Sequence, residues 1–255
     1  MSTIAVTGSA SGIGAAVCHR LEAAGHTLIR VDRINADIHA DLSTPEGRQQ
    51  AVIQTLQRCG NILDAVVCCA GVGVTAPSVG LILSVNYFGV TEYIAGLTDA
   101  LAQSDAGSAV IIGSVAASSQ VASPHEMAAA MLDGDEDKAC QIANDSQAPH
   151  IAYAASKYAV TVHGRRTAVS WGKQGMRLNI IAPGAVETPL HQASMDDPRF
   201  GEAVKNFVAP LGRAGQPDEI AEGVQFLLSE QARFINGSVL FIDGGMDAMI
   251  RANQF

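Results

Sequence analysis

Short runs of apolar, β-branched residues alternate with longer stretches of helical periodicity along the chain. The runs are Thr3 to Thr7, Thr27 to Val31, Ala65 to Cys69, Ala109 to Gly113, Arg177 to Ala182 and Ser238 to Ile242. Between them lie amphipathic or apolar helical segments at 13–24, 45–59, 84–103, 153–174 and 217–229. Strands that are apolar on both faces and separated by helices pair in parallel under two layers of helix. The pattern therefore predicts an α/β fold with a doubly wound sheet, whose ligands sit beyond the carboxyl ends of the strands. No internal repeat, low-complexity tract or linker interrupts it, so residues 1–255 are read as one domain.

Composition narrows the function. Apolar residues make up 48% of the chain and charged ones 16%, enough for a large core. The formal net charge of -9, with no run of like charges, argues against a nucleic-acid partner. No window has the length of a membrane span. The start, "MSTIAVTG", enters a strand at once, so the expected location is cytoplasmic. Five cysteines at 18, 59, 68, 69 and 140 show no ligand spacing, and seven histidines are scattered. Reduced packing thiols and no metal are the expectation.

Two stretches carry chemistry. In "TGSASGIG" a strand feeds Gly8, Ser11, Gly12, Ile13 and Gly14 at the start of a helix. There a dinucleotide pyrophosphate can approach the backbone and rest on free N–H groups; an ordinary glycine-rich turn is the plainer reading. The second strand leads to Asp32, 18 positions after Gly14, where a carboxylate accepts from ribose hydroxyls and repels a 2'-phosphate. That favours NAD over NADP, although Arg33 offers a guanidinium at the same edge. In "YAASKYAV", Tyr153 and Lys157 project from one helix face. An ammonium beside a phenol favours the phenolate and makes a usable acid/base. A solvated Tyr–Lys pair is the alternative, but this helix is otherwise small and apolar. Asn86 stands in an apolar helix, where its amide is a poor helix former unless something uses it, the plain reading being a neighbouring backbone carbonyl.

"TGSASGIG", Asp32, "DAVVCCAG", "SVNYFG", "IIGSVAAS", "YAASK" and "APGAVETPL" recur in the order and places of the short-chain dehydrogenase/reductase family, which the chain resembles over nearly its whole length. The resemblance implies a Rossmann domain with a seven-stranded parallel sheet and hydride transfer between a nicotinamide and a carbinol or carbonyl. It makes Tyr153 the acid/base, with Lys157 lowering its pKa and holding the nicotinamide ribose. It gives Ser114 the substrate oxygen and Asn86 a water-linked proton relay. It also places Asp41 and Leu42 at adenine, Ala70 and Gly71 at the riboses, Pro183 and Gly184 beside the cofactor, and Val186 and Thr188 at the carboxamide.

Departures from the family pattern shape the remaining expectations. Cys68-Cys69 stand where relatives carry paired asparagines, and nothing electropositive is evident nearby, so packing is expected of them. Residues 115–152 join Ser114 to Tyr153, far longer than the usual loop, and predict an inserted helical hairpin near 117–150. Its first helix is expected to start from a capping box at Ser123-Pro124-His125-Glu126, and its second to follow Asp135. Met127, Met131 and Ile142 are expected to wall the substrate cleft. The insert should obstruct the four-helix contact seen in many relatives, leaving a homodimer through helix 217–229 and strand 238–242. Residues 189–211 carry Leu190, Met195, Phe200, Val204, Phe207 and Val208, either a hydrophobic lid or an amphipathic helix docked on the body.

Together with the ending "DGGMDAMIRANQF", these features look most like bacterial members that act on 3-alpha-hydroxysteroids and reduce other carbonyls. The implied substrate is a small-molecule steroid, bile acid or carbonyl compound. A general secondary-alcohol dehydrogenase or 3-ketoacyl reductase is the enzymatic alternative. A dinucleotide sensor without turnover is the non-enzymatic one, and such proteins usually lack the tyrosine or lysine.

Overall fold

The computed structural model describes residues 1–253, so the last two residues of "DGGMDAMIRANQF" lie outside it. Its strands are β1 (Thr3–Thr7), β2 (Thr27–Asp32), β3 (Ile38–His39), β4 (Ala65–Cys68), β5 (Ser108–Ile112), β6 (Arg177–Pro183) and β7 (Val239–Ile242). They form one parallel seven-stranded sheet in the order β3-β2-β1-β4-β5-β6-β7. The order reverses between β1 and β4, which opens a crevice at their carboxyl ends.

The first helices are α1 (Gly12–Ala23), α2 (Pro45–Cys59), α3 (Val79–Leu83) and α4 (Gly89–Ala102). A π-helical turn, Ser84–Phe88, joins α3 to α4 and holds Asn86. Next come α5 (Glu126–Leu132), α6 (Glu136–Ser146), α7 (Pro149–Gly172), α8 (Pro189–Asp196), α9 (Gly201–Asn206), α10 (Pro217–Leu228) and α11 (Met246–Ile250). The helix expected from residue 84 thus begins at Val79, and the one expected from 153 begins at Pro149, whose missing N–H suits a first helical position.

Alternation along the strands sends side chains to two cores. Ala5, Val66, Ile111 and Ile180 meet α4 and α7 on one face, while Ile4, Val6, Val67 and Ile181 meet α1 and α10 on the other.

The inserted hairpin is present as α5 and α6, turned at Gly134 with φ 79°. Its start differs from expectation. Ser123 and Pro124 lie outside α5, and His125 is the cap, with extended backbone and a ring nitrogen accepting from the Met127 N–H at 3.3 Å. Gln120 Oε1 accepts from the His125 N–H at 2.9 Å, which fixes the entry two residues later than a serine cap would. The placing of Met127, Met131 and Ile142 on the substrate cleft is also corrected. Met127 and Met131 are fully buried in the core shared with α7, with Ile142 packed against it. Apolar positions four apart specify a buried face, not what the face meets.

Candidate active site

The crevice at the sheet's switch point holds a cavity of about 850 Å³. At its floor, β1 ends on Gly8, whose φ of 67° favours glycine. A Cβ on Gly8 would come 2.6 Å from the Ala70 backbone nitrogen, and one on Gly14 would collide with the Gly8 carbonyl oxygen. These two glycines are therefore demanded by chain packed on chain, and not only by a ligand's approach as the sequence suggested. At the start of α1 no side chain caps the helix, so its first N–H groups face the cavity unclaimed.

Every residue expected to contact the dinucleotide lines this cavity: Gly8, Ser11, Gly12, Ile13 and Gly14 beneath, Asp32, Arg33, Asp41 and Leu42 at one end. Ala70, Gly71, Tyr153, Lys157, Pro183, Gly184, Val186 and Thr188 continue to the other. The Asp32 carboxylate accepts from the N–H groups of Ala10 at 3.0 Å and Arg33 at 2.7 Å. Asp41 is held below the usual carboxylate range, first by hydrogen bonding with Ser43 and further by the Arg33 guanidinium.

Beyond the carboxyl end of β5, Ser114 lines the same cavity as Tyr153 and Lys157 of α7. Crowding by protein atoms raises the Tyr153 phenol, and a hydrogen bond with the Ser114 side chain counteracts it. The lysine is held by the backbone of β5 as well as placed beside the phenol. Its Nζ donates to the Ile112 carbonyl at 2.8 Å and lies 6.0 Å from the Tyr153 ring centre. Asn86 is fully buried and lies behind the cavity wall. Its Oδ1 accepts from the Val72 N–H at 2.8 Å, and its Nδ2 donates to the Val72 carbonyl at 3.0 Å and the Ser156 hydroxyl at 3.3 Å.

The sequence pattern described as short chain dehydrogenase matches residues 2–130, and that described as Enoyl-(Acyl carrier protein) reductase matches residues 139–247. The chain is 45% identical over 257 residues to 3-alpha-hydroxysteroid dehydrogenase/carbonyl reductase of Comamonas testosteroni, with both chains covered in full. The chain belongs to the short-chain dehydrogenase/reductase family. Its structure superposes on that of the 3-alpha-hydroxysteroid dehydrogenase from Pseudomonas sp. B-0831 complexed with NADH, with a TM-score of 0.98, 57% identity and 100% of each chain covered. D-threitol dehydrogenase of Mycolicibacterium smegmatis is 33% identical over 94% of this chain and 90% of its own. An oxidoreductase of this family is the enzyme class, and among the described residues no helix is long and apolar enough to cross a membrane.

Several lining residues of this short-chain dehydrogenase escaped the sequence reading. Val74, Leu81 and Val85 wall the outer half with His150; the short apolar stretch from 72 to 85 carries no periodicity that points to a cavity. From residues 189–211, Leu190, Phe200, Val204 and Phe207 face the cavity, whereas Met195 and Val208 do not. Phe200 meets the His150 ring with centroids 5.9 Å apart, which ties the start of α9 to α7. The cysteine pair is also corrected in one respect, because the Lys157 ammonium does act on both thiols. Burial prevails: Cys68 is pushed up to about 12 and Cys69 well above the usual thiol value, so both stay protonated.

Burial lowers Lys157 from the usual 10.5 to about 8. Between those values the unfolded chain holds more protons than the folded one, so stability rises with pH there. Below pH 8 the buried ammonium costs roughly 3 kcal/mol. Above pH 9 the buried thiols reverse the trend, because the folded chain keeps protons that the unfolded chain releases. Denaturant midpoints of the ligand-free wild type, taken relative to those of Lys157→Met so that the thiols cancel, should therefore climb between about pH 8 and about pH 10. Parallel profiles for the two proteins would contradict it.

Proposed function

We propose that this enzyme interconverts a 3-alpha-hydroxyl and a 3-ketone on steroids or bile acids, with NAD as hydride carrier and with carbonyl reduction as a related activity. The observation that carries this reading is the outer half of the cavity. It is walled by Val74, Leu81, Val85, Leu190, Phe200 and Phe207, in the same cavity that Ser114 and Tyr153 line. A broad apolar slot with two hydroxyls at its base suits a rigid hydrocarbon skeleton bearing one reacting oxygen. The names of the Comamonas and Pseudomonas proteins point the same way.

The chain fits a dinucleotide: the uncapped start of α1 offers N–H donors to a pyrophosphate, and the space kept free at Gly8 and Gly14 holds the loop in shape. Asp32 would bind the adenosine ribose, favouring NAD, with Asp41 and Leu42 near adenine. Lys157 would bind the nicotinamide ribose, and Val186 and Thr188 the carboxamide. When bound, the nicotinamide supplies the hydride acceptor or donor. In oxidation, Tyr153 removes the hydroxyl proton while the carbon–hydrogen bond breaks. In reduction it returns a proton to the oxygen, and Ser114 donates a second hydrogen bond where negative charge develops. A Cβ on Gly71 would lie 3.3 Å from Asn86 Oδ1 and 3.6 Å from Lys157 Nζ, so glycine leaves a gap between them. A water in that gap would complete the proton relay.

Absorbance of reduced nicotinamide, with NAD and androsterone or a 3-alpha-hydroxy bile acid, tests the reading. Rapid growth with NAD and little with NADP is expected. Turnover of a simple alcohol or ketoacyl thioester alone would replace the steroid by the general alcohol dehydrogenase or ketoacyl reductase reading.

We read residues 1–255 as one domain, since all the strands join one sheet, working in the cytoplasm where five unpaired thiols stay reduced. The partner is a second copy. Phe226 on α10 is exposed, Phe234 five residues before edge strand β7 is fully exposed, and the insert packs on α7. Light scattering should give the mass of two chains; four would overturn the dimer.

A further inference from the structure

We infer that the inserted helix α6 sets substrate selectivity without touching substrate, by gripping the Gly80–Ser84 turn that carries the wall of the cavity. Three residues at four-residue spacing, Glu136, Cys140 and Asn144, form a polar stripe along α6. Asn144 and Cys140 meet the turn directly, and Glu136 reaches it through Arg48. Asn144 Oδ1 accepts from the Gly80 N–H at 2.8 Å. Cys140 Sγ lies 3.4 Å from the Ser84 hydroxyl and 3.5 Å from the Gly80 carbonyl. Glu136 takes both Nη atoms of Arg48, at 3.1 and 2.5 Å, and Arg48 Nη1 in turn reaches the Ser84 carbonyl at 3.5 Å. Arg48 is 1% exposed and its Nε is also paired with Glu92 of α4 at 2.8 Å, so the clamp is anchored on two further helices.

The turn so held is the one that points Leu81 and Val85 into the outer half of the cavity. Gly80 allows the close approach: a Cβ there would lie 3.0 Å from Asn144 Nδ2 and 3.2 Å from Cys140 Cβ. A helix start of one turn has little stability of its own. With its leading N–H held by Asn144, the wall keeps a fixed distance from Tyr153. A large rigid substrate senses that distance, and a small one does not. The inference rests on the outer half being the substrate pocket.

The test compares kcat/KM, at saturating NAD, for a 3-alpha-hydroxysteroid and for cyclohexanol. Asn144→Ala should lower the steroid value about tenfold while cyclohexanol changes less than about twofold, a scale typical of altered pocket contacts. Asn144→Asp keeps an acceptor for the Gly80 N–H and should retain the wild-type ratio. Gly80→Ala, which pushes the turn off α6 from the other side, should reproduce the loss, and it serves as the readout if Asn144→Ala fails to fold. An unchanged ratio in Asn144→Ala or Gly80→Ala, or an equal loss for both substrates, overturns the inference. If the wild type oxidises no steroid, the function proposed above fails by itself; the selectivity ratio is then read with a fused-ring decalin alcohol against cyclohexanol, with the same outcomes.

Discussion

Tyr153→Phe should reduce turnover about a thousandfold while the affinity for NAD, followed by fluorescence titration, stays within about twofold. The substitution removes one hydroxyl at the base of the cavity and leaves the ring that packs beside Lys157. The proton then has no positioned donor or acceptor, and only Ser114 remains to bond the substrate oxygen. Because burial raises the phenol, the tyrosine is protonated near neutral pH, ready to donate. Ketone reduction by the wild type should therefore be flat around neutrality. Alcohol oxidation, which needs the phenolate, should climb with pH, and Tyr153→Phe should lose that climb. Residual turnover above about a tenth of wild type would move the acid/base role elsewhere, and lost NAD binding would make Tyr153 a cofactor residue first.

Gly14→Ala is expected to destabilise the ligand-free protein by about 3 kcal/mol, measured by denaturant midpoint. The added carbon meets a backbone oxygen, that of Gly8, and no side-chain rotation can relieve it. Gly8 is itself pressed against the Ala70 backbone, so the loop cannot retreat. Relief requires α1 to move away from β1, which disturbs its packing on α10. Weaker NAD binding should accompany the loss. Unchanged stability with weaker NAD binding would mean that the glycine serves the ligand alone.

The sheet was legible because its central strands are apolar on both faces, a pattern few other structures need. Strand β3 was not, since two residues, Ile38 and His39, cannot display alternation. The π-helical turn around Asn86 also leaves no mark, because a single wider turn inside a helix is too short to shift the apolar spacing around it. At the site, the Tyr153–Lys157 spacing and the glycines before α1 were legible as chemistry with a required geometry. Their electrostatics were not. Spacing places Lys157 beside Tyr153 but is silent on the Ile112 carbonyl that accepts its hydrogen bond, a contact made across 45 residues of chain. Met127 and Met131 show the same boundary: periodicity identifies the face of α5, and only the fold identifies what it meets.

Transplanting the insert offers a view of what it has become. A surface ornament moves between homologous scaffolds as a loop, cut at its two ends. The α5–α6 hairpin would not travel that way. Met127, Ala128 and Met131 share one core with Tyr87, Val160 and Trp171, and Glu136 closes on Arg48 from a helix nearly ninety positions upstream. A chimera receiving residues 115–148 alone would carry an acidic group with no guanidinium opposite and two methionines with no matching hollow. The transferable unit is discontinuous, a patch drawn from α2, α4 and α7 as well as the hairpin, so the insert and its bed have to be inherited together.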